Sequence, residues 1–112
     1  MSMQLSFADE GLRQICEKPV SAKRRLGEAA ARSLRTRIAD LHAAASLDEL
    51  VGLGFTRFDE SSDARIVIDL DDGYAVVASV NHRPEPRLPS GKLDWKQVTR
   101  LKILSIECAN EN

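Results

Sequence analysis

The stretch from Ala64 to Val80, ARIVIDLDDGYAVVASV, constrains this chain more than any other. Ile66, Ile68 and Leu70 fall at period two, Asp71-Asp72-Gly73 signals a turn, and Tyr74, Val76, Ala78 and Val80 resume the alternation. The pattern predicts a β-hairpin, because glycine and, less readily, aspartate tolerate the positive φ that tight turns require. Two strands alone are marginal in water, so other elements must cover the apolar face and extend the sheet.

The rest of the chain offers those elements. Leu5 and Phe7 share one face of a short first strand, Gln4 to Phe7. Leu12, Ile15 and Cys16 give Ala8 to Glu17 a helical spacing, which Lys18-Pro19 interrupts. Leu26, Ala30, Leu34, Ile38 and Leu41 form one stripe, predicting a single amphipathic helix from Val20 to about Ala45 as the cover for the hairpin. Ser46-Leu47-Asp48-Glu49 matches a capping box ahead of a short helix, Leu47 to Val51, which Gly52 and Gly54 end.

Phe55 to Asp63 is polar and without period, a loop with room for a strand at its start. Pro84, Pro86, Pro89 and Gly91 make Asn81 to Leu93 a surface loop. Thr99 to Glu107 reads as a last strand, with Leu101 and Ile103 on one face and Leu104 and Ile106 on the other, hence central in the sheet. The order predicts an α+β fold in one domain, 1–112, with two N-terminal helices packed on a mostly antiparallel sheet of about four strands.

Composition narrows the function classes. The 43% hydrophobic and 29% charged residues suit an ordinary globular domain, and 4% aromatics make its core aliphatic. Cys16 and Cys108 lie far apart with no histidine beside them, so the sequence predicts neither a disulfide framework nor a metal site. Neither a membrane span nor a signal peptide is visible, and the expected location is cytoplasmic. Net charge is −1, but unevenly spread: Lys23, Arg24, Arg25, Arg32, Arg35 and Arg37 face only Glu28 in sequence, while Asp59 to Asp72 is acidic apart from Arg65. That split predicts a bipolar surface whose basic helix face could meet phosphates.

Three runs, LRTRIADLHAAASLDEL, RIVIDLDDGYAVV and DWKQVTRLKILSIE, occur in the order and spacing of a known family. The chain from Met3 to Glu107 resembles the HigB-like killer proteins of the RelE/ParE superfamily, the toxins of bacterial toxin–antitoxin modules. Most of the weight rests on the Asp94-Trp95-x-x-Val98 pattern running to Ile103 and Ile106 and on the strand opened by Gly73-Tyr74. The resemblance implies the α+β arrangement already reached from periodicity. It implies a metal-independent endoribonuclease without cofactor, acting on ribosome-bound messenger RNA. It also implies a cognate antitoxin, commonly with a helix-turn-helix domain.

In such an enzyme the substrate 2′-hydroxyl attacks the adjacent phosphate. That calls for a base, for cations on the developing phosphorane charge, and for a donor to the leaving oxygen. By resemblance the catalytic candidates are Arg65 and Tyr74; candidates for RNA or partner binding are Arg24, Arg25, Arg32, Arg35, Arg57, His82, Arg83 and Lys92. The sequence departs from the family at three places. Ala75 stands where the family strand usually carries arginine after Gly-Tyr, Glu107-Cys108-Ala109 replaces a polar Asp-Tyr-His ending, and the usually basic loop before the hairpin is Asp59-Glu60-Ser61-Ser62-Asp63. These departures leave three expectations open: a toxin with weakened or lost cleavage, a catalytically inactive antitoxin- or ribosome-binding module, or a ParE-like inhibitor of a protein target such as gyrase.

Overall fold

The computed structural model describes residues 3–54, 56–59 and 62–108. The parts of the acidic loop at 60–61 and of the chain end at 109–112 singled out above lie outside the described residues. In chain order the elements are β1 (Gln4–Phe7), α1 (Glu10–Glu17), α2 (Pro19–Leu26), α3 (Glu28–Ala43), α4 (Leu47–Gly52), β2 (Thr56–Asp59), β3 (Ser62–Asp69), β4 (Tyr74–Val80) and β5 (Arg100–Cys108). The strands form one sheet in the order β1-β5-β4-β3-β2, antiparallel except where β1 runs parallel to β5. The class is α+β as expected, with five strands among the described residues where about four were expected: Thr56–Asp59, the strand for which the start of the segment read as a loop left room, pairs with β3 at the sheet edge.

The helical layer also differs from expectation. One helix from Val20 to Ala45 is in fact two, because Gly27 takes φ 87° and ψ 170°, a conformation nearly closed to other residues. The apolar stripe continues across the break, so Ala22, Leu26, Ala30, Leu34 and Leu41 are all buried. At α1 the Asp9 carboxylate accepts the Leu12 N–H at 2.8 Å, and Pro19 opens α2 where a missing amide costs nothing. Neither bond of the predicted capping box forms at α4: Glu49 reaches back one residue too far and accepts the Ala45 N–H at 3.0 Å, and the Ser46 side chain makes no cap bond.

The hairpin turn is one turn of 3₁₀ helix with Asp72 and Gly73 at positive φ. Its tip is tied to α3, since Ser33 Oγ accepts the Asp71 N–H at 3.0 Å and Arg37 Nε donates to the Asp69 carbonyl at 3.5 Å. The acidic turn and the basic helices, separate blocks in sequence, thus meet at one end of the molecule.

β5 is central, between β1 and β4. Its alternation is broken by a bulge: Ala78 pairs with Ile103 and Val77 with Ser105, leaving Leu104 as the extra residue. Ile106 therefore returns to the face of Leu101 and Ile103 and packs on the core, rather than sharing a face with Leu104 as period two predicted. The core lies between helices and sheet, with Leu34, Leu41, Leu47, Leu50, Ile66, Ile68, Val76, Leu101 and Ile103 almost fully buried.

Candidate functional site

The sheet has two unlike faces. Ile66, Ile68, Val76, Ala78, Leu101 and Ile103 point towards the helices and into the core. On the other face cross-strand pairing sets Asp69, Ala75 and Glu107 side by side across β3, β4 and β5, and sets Arg65, Ser79 and Lys102 in a second row towards the other end. Residues on this face are exposed or half-buried, with one exception: Ala75 is 7% exposed and stays outside the main apolar cluster.

Ala75 is a methyl group between two longer acidic side chains. The Asp69 carboxylate receives a fork from Arg57 of β2, Nη2 to Oδ1 at 3.1 Å and Nε to Oδ2 at 3.3 Å. The Glu107 carboxylate accepts the Ser105 hydroxyl at 2.9 Å. Both members of the Arg57–Asp69 pair are more than half exposed, so the pair contributes about 0.2–1 kcal/mol and works mainly by orienting Arg57. Arg57 is thus directed onto a carboxylate, and anionic groups flank the alanine on both sides.

The two residues that the resemblance offered for catalysis are not brought together. Tyr74 is half-buried on the helix side of the sheet, in a cleft of about 630 Å³ with Leu12, Ile15, Arg25, Leu26 and Ile106. Arg65 sits on the opposite face, paired across to Ser79, four residues along β3 from Asp69 and so roughly 13 Å from the level of Ala75. A general acid or base and a phosphate-binding cation cannot act on one phosphate from opposite faces of a sheet.

The remaining candidates fall in separate places. Arg24 and Arg25 end α2 and Arg35 lies on α3, all exposed; Arg32 reaches Glu28 at 3.4 Å. His82, after β4, accepts the Thr99 N–H at Nε2, 3.0 Å away, tying the start of the long loop to the approach of β5. Burial, and then the positive Arg100, hold its pKa below the ordinary histidine value, so His82 is a neutral structural acceptor rather than a cation. Arg83 is exposed beside it, before a cis peptide bond to Pro84. Lys92 borders a groove of about 730 Å³ with Leu88, Leu93, Phe58 and Trp95, where the last two rings stack with centroids 4.7 Å apart. Trp95 thereby anchors the loop to the edge strand β2.

Asp69 and Phe58 were not among the sequence candidates, and Glu107 entered only as part of a departure from the family's strand ending. Period two does place Asp69 on the face of Arg65, but its proximity to Ala75 and Glu107 needs the strand register, which the bulge in β5 hides. Among the described residues no three His, Cys, Asp or Glu side chains gather as metal ligands. Burial and the neighbouring Glu17 push the Cys16 thiol up to about 11, so it is a poor nucleophile at neutral pH. No helix among the described residues is long and apolar enough to cross a membrane. Comparison with protein-family models, with characterised proteins and with solved structures gives no match.

Proposed function

We propose that this chain is a RelE/HigB-like protein of a bacterial toxin–antitoxin module that acts by binding, its messenger-RNA cleavage weakened or lost. The observation that carries the reading is the surroundings of Ala75. Where the resemblance calls for an arginine on the scissile phosphate, the open sheet face has a methyl group between Asp69 and Glu107, with Arg57 directed onto Asp69. Two carboxylates beside a developing phosphorane oppose the charge that the reaction builds. Losing one positioned donor already costs about 2.7–4 kcal/mol of transition-state stabilisation, or about 10²–10³ in rate. Helices on one face and a mostly antiparallel sheet open on the other are compatible with the arrangement that the resemblance implies.

The test is direct. Purified protein incubated with ribosomes carrying a defined messenger RNA is expected to leave the message intact, as read by primer extension, while cosedimenting with the ribosomes or with a cognate antitoxin. Codon-positioned cleavage at the rate of an active ribosome-dependent nuclease would overturn the reading.

A further inference from the structure

We propose that the groove between α2 and α3 docks an acidic, amphipathic segment of a partner protein. It is lined by Pro19, Val20, Lys23, Ala31, Arg32 and Arg35, with Glu28 at one wall, and has a volume of about 260 Å³. Two observations converge on this occupant. The first is uncompensated charge: Lys23 and Arg35 make no ion pair among the described residues, as do Arg24 and Arg25 beside them, and Arg32 has only the exposed Glu28. Of these, Arg32 and Arg35 lie three apart on α3, a like-charge pair that weakens the helix by tenths of a kcal/mol until an anion arrives. The second is an apolar floor. Val20 is 69% exposed, more than Leu53 or Leu88, and lies with Pro19 and Ala31 between those cations.

Cations alone would suit any polyanion, including RNA. The floor separates the classes. RNA bound without base pairing is held by aromatic platforms under its bases, and among the described residues no aromatic side chain lines this groove. An aliphatic floor ringed by ammonium and guanidinium groups matches a helix that presents a leucine-like anchor flanked by glutamates. The long-range field of the cations speeds encounter, and the buried anchor sets the residence time. The inference rests on the helical layer and is independent of the reading of Ala75, which lies on the far side of the sheet.

Three labelled probes test it by fluorescence anisotropy with the full chain. One is a helical peptide of about 15 residues, rich in glutamate with leucines at i and i+4. The second has those leucines replaced by serine at equal charge, and the third is a uridine oligonucleotide of similar charge. The leucine peptide is expected to bind at least about tenfold tighter than either of the others, a difference of one decade in Kd. Lys23→Glu with Arg35→Glu should weaken it about tenfold and flatten its salt dependence, and Val20→Ser should erase the advantage of leucine over serine. All three positions are exposed, and an unchanged melting profile confirms that the variants fold. Equal binding of the two peptides, tighter binding of the oligonucleotide, or no binding of any probe overturns the proposal.

Discussion

His82 shows how one side chain can look like a binding cation in the sequence and be a structural acceptor in the fold. Followed by Arg83 in a basic loop, it invites assignment to a phosphate. The fold instead turns its Nε2 to the Thr99 amide at 3.0 Å, a bond that only the neutral ring can accept. The unfolded histidine takes up its proton near 6.5, the folded one only at lower pH. Stability is therefore full above about pH 6.5 and declines as pH falls through the interval down to the folded value. A nuclear magnetic resonance titration is expected to place the His82 midpoint below 6.5, and His82→Ala should flatten the corresponding fall in melting temperature between pH 7.5 and 5. A midpoint at or above 6.5 would mean that the ring is not held neutral. The same scale explains why the neighbourhood of Ala75 was only half legible. The missing arginine is visible in Gly73-Tyr74-Ala75 itself, whereas Asp69 and Glu107 lie 6 and 32 residues away and become neighbours only through strand pairing.

Among the elements, the break between α2 and α3 matters most to the proposed docking, because the groove around Val20 is lined from both helices. Periodicity conceals it: Leu26, Ala30 and Leu34 continue at spacing four straight through Gly27, and glycine within a helical pattern is only a weak signal. Gly27 holds φ 87° and ψ 170°, and a Cβ added there meets no atom within 4 Å. The cost of Gly27→Ala is thus one of backbone conformation alone, about 1–3 kcal/mol. The expected outcome is a lower urea midpoint by that amount, with the slope of the transition and the far-ultraviolet dichroism unchanged. A variant as stable as the parent would mean that the two helices can run on as one, and the groove would be lost with the break. Strand periodicity failed in the same physical way. One extra residue, Leu104, moves Ile106 to the core side, and a pattern that counts in twos cannot register a bulge.

For the whole molecule the decisive feature is that, among the described residues, helices cover one face of the sheet and no helix covers the other. The alternation of Ile66, Ile68 and Leu70 made the buried face readable, and the stripe on α3 supplied its partner. What the sequence could not state was whether Val67, Val77 and Leu104 were covered as well, since aliphatic residues on both faces of a central strand suit either case. In the structure Ile68 is fully buried, while its chain neighbour Val67 on the opposite face is only half-buried. Truncation should therefore be asymmetric. Ile68→Ala is expected to cost about 2–5 kcal/mol, a large share of the roughly 5–15 kcal/mol that holds such a domain together. Val67→Ala should cost under about 1 kcal/mol, the loss expected where little apolar area leaves water. Urea unfolding of both variants at two protein concentrations decides the matter. Similar costs, or a cost for Val67→Ala that grows with concentration, would show that the face carrying Asp69, Ala75 and Glu107 is covered by a second copy.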